Sequence, residues 1–175
     1  MLSRRGTLCL MTALVSLACG RPSSTVPTHW TARPDAVGPV RIGMTAAEAR
    51  ASVGDSMEAS DTTDASCRYI RPATLPPGVG IMVEKDTVVR VDIDSGTVAT
   101  EVGARVGDTE QRVLSLYQGQ VRVQPHKYTG PTGHYLVVTP PGDSLHRIIF
   151  ETDGAHITTF RVGRRPAVEY VERCG

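Results

Sequence analysis

Histidine is the residue type in this chain with the broadest chemical potential, because its ring can bind a metal ion or accept a proton near neutral pH. The chain has five histidines. His126 and His134 flank a Gly/Pro-rich loop, and His146 and His156 lie on neighbouring segments with strand-like patterns. Cross-strand histidine pairs can bind metal, but no HxH or HExxH spacing and no matching carboxylates accompany them. Ordinary surface histidines are therefore favoured over a metal site or a general base.

Other catalytic motifs are missing from the sequence. There is no GxSxG nucleophile elbow, no GxGxxG fingerprint and no Walker loop. Asp92 and Asp94 share one face of a predicted strand, a pattern that allows an acid pair or a Ca²⁺ site but favours a solvent-facing strand. We therefore predict no catalytic residue, no metal ligand, no cofactor and no enzymatic activity.

Two groups of residues in the second half of the chain could recognise a partner. The first is a basic set: Lys127, Arg161, Arg164 and Arg165. Because Glu169 and Glu172 follow closely in sequence, a solvated face is favoured over a site for phosphate groups or an acidic partner. The second is formed by Tyr128, His134 and Tyr135 around the Gly/Pro-rich loop, a placement typical of protein interfaces. We predict these three as partner-binding residues, with a core position as the alternative for Tyr135.

Length and composition limit the possible functions. The 175 residues suit one domain or two small fused repeats, and an apolar share of 40% is enough for a core. A net charge of +1 offers no obvious site to a large polyanion. Aromatic residues make up 5%, which argues against the stacking platforms that bind single-stranded nucleic acids. We predict no nucleic-acid partner.

The N-terminus has the order of a secretory signal. Arg4 and Arg5 precede a short apolar stretch at residues 8–15, and the small residues Ser16 and Ala18 follow on either side of Leu17. The apolar run is far shorter than the roughly 20 residues that a permanent membrane-spanning helix needs. We predict that residues 1–18 are a signal peptide.

The bond before Cys19 resembles the cleavage site of bacterial lipoproteins. The resemblance implies that the Cys19 thiol is acylated, that this residue becomes the mature N-terminus and that the protein is held at a membrane. Gly20 at the next position is similar to the pattern for outer-membrane delivery. Plain secretion and an uncleaved anchor remain as alternatives.

The number and positions of the cysteines suggest a disulfide. Of the four cysteines, Cys9 is removed with the signal, and a lipid on Cys19 leaves Cys67 and Cys174. In an oxidising compartment two remaining cysteines favour a disulfide, which would join the end of the chain to its first half. The alternative is a metal-binding or redox pair, although the separation excludes a CxxC motif.

The rest of the sequence predicts a flexible linker followed by two α+β units. Residues 19–36 are rich in Pro, Ser and Thr and predict the linker, in which Trp30 is solvated. In each unit, 37–98 and 102–175, a short helix precedes segments with the two-residue period of a half-buried sheet. The predicted strands are 67–70, 79–84 and 88–93, then 135–139, 145–151 and 156–162. We expect two tandem repeats, each with its helix packed on its own antiparallel sheet.

The helix starts carry the clearest repeated signal. Residues 41–45 read RIGMT and residues 105–109 read RVGDT, so Arg, Gly and Thr recur in the same order. Thr45 with Glu48 predicts a capping box, in which each side chain satisfies a backbone donor at the helix start. Asp108 with Gln111 is expected to form a second capping box.

The GMT of residues 43–45, followed by Glu48, resembles the opening of the small outer-membrane-assembly lipoproteins. The same fold in tandem is that of the β-lactamase inhibitor protein family. The resemblance implies a helical layer on an antiparallel sheet, whose exposed face binds other proteins. It covers residues 37–171 as an architecture. We carry over none of the inhibitory residues, because the family's binding face is rich in aromatics and this chain has few.

These patterns together predict an exported, lipid-anchored envelope protein that acts as a non-enzymatic protein-binding module. Its expected partners are the membrane, through the lipid on Cys19, and another envelope protein. In a cell with an outer membrane, the expected location is that membrane, facing the periplasm. The alternatives are a His-based periplasmic hydrolase or metal-binding protein, and a structural lipoprotein of envelope assembly.

The intact mass of the mature protein tests the anchor. We expect a chain that starts at Cys19 and carries a diacylglyceryl-sized mass increase, because acylation accompanies cleavage at such a site. The Cys19→Ser variant should lack this increase and leave the membrane fraction. An unmodified, soluble wild-type protein would overturn the lipoprotein interpretation.

Overall fold

The computed structural model describes residues 30–55 and 66–174. The predicted signal peptide and the predicted lipid attachment at Cys19 lie outside the described residues. The strands are β1 (Thr31–Arg33), β2 (Ala36–Val37), β3 (Val40–Arg41), β4 (Cys67–Ile70), β5 (Val79–Glu84), β6 (Thr87–Ile93), β7 (Ala99–Thr100), β8 (Val121–Pro125), β9 (His134–Val138), β10 (His146–Thr152) and β11 (Ile157–Arg164). The helices are α1 (Ala46–Ser52), α2 (Glu110–Leu116) and the 3-10 helix η1 (Ala167–Glu169). No helix in the described ranges is long and apolar enough to cross a membrane.

Seven strands form one sheet in the order β4-β5-β6-β11-β10-β9-β8. Each strand pairs antiparallel with the next. Lys85 and Asp86 connect β5 to β6, and both have the positive φ that a two-residue type I′ hairpin requires. The predicted mixture of short helices with antiparallel strands is confirmed. A separate sheet for each helix is not confirmed, because β6 of the first unit pairs with β11 of the second.

A second sheet has four strands in the order β3-β2-β1-β7, and its β1–β7 pair is parallel. Because β1 and β2 occupy residues 31–37, the prediction of a flexible linker over 19–36 is wrong from residue 30 onward. Trp30, predicted to be solvated, is only 8% exposed. Its ring lies against Gly38, where an added Cβ would approach the ring to 2.6 Å. This ordering depends on tertiary contacts, which a Pro/Ser/Thr-rich composition does not reveal.

Both α-helices begin at a threonine. Thr45 Oγ1 accepts from the backbone N–H of Glu48 at 3.2 Å, and Glu48 Oε2 accepts from the backbone N–H of Thr45 at 2.8 Å. The predicted capping box of α1 is therefore confirmed. In α2 the N-cap is Thr109, whose Oγ1 accepts from the N–H three residues later. The predicted box of Asp108 and Gln111 is wrong, since the helix begins one residue later than the pattern suggested.

The helices α1 and α2 and the four-stranded sheet cover one face of the seven-stranded sheet, here called the core face. Phe150 and Phe160 on neighbouring strands are fully buried there, with ring centroids 5.2 Å apart. Val37 of the small sheet, Ala49 of α1 and Val113 of α2 belong to the same apolar cluster. Alternate residues of the large sheet supply this core, so the residues between them must point to the opposite face.

The opposite face, here called the charged face, is crossed by the C-terminal segment, residues 165–174. This segment follows β11, forms η1 against β6, β10 and β11, and ends beside β4. A disulfide joins Cys174 to Cys67, with their Cα atoms 5.5 Å apart. The predicted disulfide is thus confirmed, and it fastens the segment to the edge strand β4.

Replacing Cys174 by serine should lower the free energy of unfolding by about 4 kcal/mol, because a bridge between residues 107 positions apart restricts the unfolded chain. Urea unfolding of the wild type and the variant, each with and without reductant, measures this loss. Reductant should bring the wild type to the stability of the variant and leave the variant unchanged. Equal stability of the oxidised wild type and the variant would contradict the prediction.

Candidate functional site

Two opposite charges lie side by side in the interior of β6. Arg90 and Asp92 are two residues apart on one strand, so both side chains project from the charged face. Arg90 Nε is 3.0 Å from each carboxylate oxygen of Asp92, and the two side chains are 2% and 3% exposed. Removing such charges from water costs several kcal/mol per ion unless they are paired and hydrogen-bonded. The strand can therefore be buried only with this pair intact.

A second buried arginine lies on the neighbouring strand. Arg161 of β11 is opposite Asp92 in the register and is 3% exposed. Its guanidinium pairs with Glu151 of β10, and its Cζ lies 5.7 Å from the centre of the Tyr135 ring. Burial, and then the positive charge of Arg90, lowers the pKa of Arg161. It stays protonated because the ordinary pKa of arginine is far above neutral pH.

Both arginines also bind the C-terminal segment. Arg90 Nη1 donates to the carbonyl of Tyr170 at 2.8 Å and, at 3.4 Å, to that of Ala167. Arg161 Nε donates to the carbonyl of Val168 at 2.7 Å. Carbonyls at the end of a helix lack donors within the helix, and guanidinium groups from two strands supply the donors for Val168 and Tyr170. The Ala167 carbonyl also accepts from the backbone N–H of Tyr170 at 3.3 Å. Two ion pairs of the sheet therefore fix the path of the segment.

The network continues toward the disulfide. The Tyr69 hydroxyl donates to Asp92, and Arg173 pairs with Asp94. Burial, and then the charge of Asp92, raises the pKa of Tyr69, so the phenol remains a donor. Burial alone would raise the pKa of Asp94, but the hydrogen bond and the charge of Arg173 lower it overall. The same hydrogen bond raises the pKa of Arg173.

An open cleft of about 330 Å³ lies between the C-terminal segment and the β8 end of the charged face. Its lining combines apolar side chains with polar and charged ones, namely Tyr135, Val137, Ile149, Val171, Gln124, Glu169, Arg122, Arg161 and Arg165. Arg165 is neutralised by Glu169 at 2.8 Å. Arg122 is exposed, faces the amide of Gln124 and has no acidic partner within the described ranges. The cleft thus presents apolar surface beside an unneutralised positive charge.

The ring of His126 is held by contacts on both nitrogens. Nδ1 accepts from the backbone N–H groups of Tyr128 at 3.1 Å and Thr129 at 3.2 Å. This pattern assigns the proton of the neutral ring to Nε2, which lies 3.3 Å from Glu151 Oε2. A catalytic histidine oriented by a carboxylate needs its other nitrogen for the nucleophile. In His126 that nitrogen is occupied by the backbone, so the ring has a structural role.

The three predicted partner-binding residues do not form one patch. Tyr128 is 61% exposed on its loop, and its hydroxyl donates to Glu172 of the C-terminal segment. Tyr135 is 6% exposed on the charged face, which is the core position given as its alternative. His134 occupies the core face of the sheet, where its Nδ1 is 3.0 Å from Glu110 Oε2. Adjacent strand residues point to opposite faces, so the grouping of His134 with Tyr135 is wrong.

Two expectations about solvent exposure are also wrong. Asp92 was expected on a solvent-facing strand and Arg161 on a solvated face, but both are buried. The cause is the C-terminal segment, which covers the middle of the charged face through contacts that no local pattern records. Asp94 matches its prediction better, since its side chain is 34% exposed.

The predicted neighbours His146 and His156 do not form a cross-strand pair. His146 lies opposite Arg164, and its Nδ1 is 2.8 Å from Asp143 Oδ2. His156 is exposed near the start of α2. Across residues 30–55 and 66–174, no three His, Cys, Asp or Glu side chains are grouped so that they could hold a metal ion.

No protein-family model, no curated protein and no solved structure matches this chain.

Sequence reasoning missed three residues that define the site, Arg90, Glu151 and Arg122. A signal for the first was present, because β6 reads TVVRVDI and places opposite charges two residues apart within an apolar strand. Such a spacing puts both charges on one face, and a strand that is otherwise apolar is a buried one. No comparable signal marks Glu151 or Arg122, whose roles depend on the neighbouring strands.

Replacing Arg90 by methionine should lower the free energy of unfolding by about 3–5 kcal/mol, because Asp92 is left buried without its main counter-charge. Urea unfolding measures this loss. Arg68→Met removes the half-buried partner of the exposed Asp86 and is the control, with an expected cost below about 1 kcal/mol because Asp86 stays in water.

A double variant separates lost charge pairing from lost packing. Adding Asp92→Asn to the Arg90→Met protein should recover part of the stability, since the stranded charge is removed. Equal costs for Arg90→Met and Arg68→Met would show that the buried pair is not important for folding.

Proposed function

We propose that this is an exported, lipid-anchored envelope protein that binds another protein at the cleft of the charged face. The observation that carries the proposal is the cleft of about 330 Å³, lined by both apolar and charged side chains, that includes Arg122, a guanidinium without an acidic partner in the described part of the chain. Apolar groups of a partner would bury the apolar part of the cleft, and its acidic groups would neutralise Arg122. Arginine and tyrosine are also enriched at protein interfaces.

Export is supported by the disulfide. The bond between Cys67 and Cys174 holds the segment that forms one wall of the cleft, and such bonds persist in oxidising compartments outside the cytosol. The order of residues 1–18 agrees with this location. A lipid on Cys19 would keep the cleft close to a membrane and raise its effective concentration toward partners there.

The surroundings of the cleft favour binding over catalysis. Its wall is fixed by Arg90, Arg161 and the disulfide, so little order has to be gained when a partner binds. The alternative of a His-based hydrolase has less support, because His126, the histidine stacked on the cleft residue Tyr135, has both ring nitrogens occupied.

We further infer that the chain consists of two related units, as in the β-lactamase inhibitor protein family. In support, α1 precedes a run of strands that ends in the hairpin β5–β6, and α2 precedes one that ends in the hairpin β10–β11. The last strands of the two runs, β6 and β11, pair antiparallel at the middle of the sheet. That pairing is what a twofold relation between two units would produce.

Site-specific crosslinking in cells that make the protein tests the binding site. A photoreactive amino acid at Gln124, which lines the cleft, should give a discrete adduct with one protein. The same amino acid at Arg41, exposed on the small sheet, should not give that adduct. Arg122→Glu should abolish the Gln124 adduct because it reverses the charge at the cleft, whereas Arg41→Glu, an equal change in charge, should preserve it.

The structural-assembly alternative predicts a different result. A protein that only supports an assembly through other surfaces would give no adduct from Gln124, or the same adduct from both positions. An adduct that survives Arg122→Glu would likewise remove the cleft from the proposed function.

A further inference from the structure

The sheet edge at β8 presents main-chain hydrogen-bonding groups to its surroundings. In an antiparallel pair, alternate residues direct their N–H and C=O groups toward the partner strand, and the residues between direct theirs away. Just after β8, His126 N donates to Gly133 O at 2.9 Å, which continues the β8–β9 register. The backbone N–H and C=O groups of the even-numbered residues of β8 therefore point toward β9. The N–H and C=O groups of Val121 and Val123 therefore point away from β9.

The side chains along this edge differ between the two faces of the sheet. Arg122 and Gln124 line the cleft on the charged face. Val123 points to the other side and is 46% exposed. Pro125 ends the strand and has no N–H, so the usable edge is short. A strand added here would therefore meet a guanidinium on one face and an exposed apolar side chain on the other.

We propose that β8 accepts an additional strand from the partner, an extended segment in which acidic and apolar residues alternate. This strand addition rests on the proposed function and specifies how the partner is held. The segment's main chain bonds to Val121 and Val123. One of its carboxylates lies opposite Arg122, and an apolar neighbour packs beside Val123, because directly opposed residues on one face are within contact distance.

The charge of the cleft determines which charge a bound segment should carry. Of the three arginines that line it, Arg161 is paired with Glu151 and Arg165 with Glu169, so Arg122 is the lining arginine without an acidic partner in the described part of the chain. A basic segment would meet like charge at Arg122, which is unfavourable in a cross-strand pair. A second copy of β8 would bring two Arg122 side chains together and is disfavoured for the same reason. Complementarity therefore favours an acidic strand from a different protein.

A short fluorescent peptide of alternating aspartate and valine is the probe, with binding to the full mature protein followed by fluorescence anisotropy. We expect saturable binding that weakens at high salt, since the charge pair is exposed. A peptide of alternating lysine and valine, with similar strand propensity and opposite charge, should not bind. Arg122→Gln should weaken the binding about fivefold, while Arg41→Gln should leave it unchanged.

The backbone contribution is tested at Val123. Val123→Pro removes an N–H that points away from β9, so the β8–β9 ladder is kept while partner pairing is lost, and binding should fall about tenfold. Val123→Thr keeps the N–H and the branched shape and should bind nearly as well as the wild type. Amide hydrogen exchange of the wild type gives a readout independent of variant folding: the peptide should slow exchange at Val121 and Val123.

Absence of aspartate–valine binding, equal binding of the lysine peptide, or unchanged exchange at Val121 and Val123 would overturn strand addition. If the crosslinked adduct from Gln124 still forms and still requires Arg122, the cleft binds its partner in another way and the proposed function stands. If that adduct is also absent, both fail together.

Discussion

The structure depends on two buried guanidinium groups that each have two tasks. Arg90 and Arg161 neutralise carboxylates within the sheet and, with their remaining N–H groups, bind carbonyls of the C-terminal segment. A guanidinium has enough donors to do both at once, whereas an ammonium group could not span the same partners. The segment in turn excludes water from the ion pairs. The ion pairs would be less stable without the C-terminal segment, and the segment would lose its hydrogen-bond donors without the arginines. The end of the chain is therefore coupled energetically to the middle of the sheet.

Much of the secondary structure followed from the sequence, because it depends on local chemistry. The two-residue period of apolar residues identified β5 and β6, and the Thr45–Glu48 pattern identified the start of α1. Prediction failed where position depends on distant partners. Trp30 is ordered by its contact with Gly38 across a turn, and β8 was missed because VRVQP is short and exposed at a sheet edge. The single large sheet was also missed, since the local sequence of a strand does not indicate which strand of the other unit it pairs with.

The site was predicted less well than the fold. The disulfide could be inferred by counting cysteines. The burial of Asp92 and Arg161 could not be inferred, because the C-terminal segment that covers them is distant from Asp92 in sequence. Alternation places His134 and Tyr135 on opposite faces, and applying the strand period to that pair would have separated them in advance. The cleft lies where the C-terminal segment, which packs against β10, does not extend over β8. Only tertiary structure contains that information.

The central pairing of β6 with β11 also sets an order of events during synthesis. Thr159 donates to the carbonyl of Ile93, 66 residues earlier in the chain. At about 5–20 residues per second, β6 leaves the ribosome several seconds before its partner exists. During that interval an apolar strand has an open edge, which is a template for pairing with other chains. Because the protein is proposed to be exported, its chain would therefore benefit from a holding chaperone that shields β6 until both halves of the sheet have crossed the membrane.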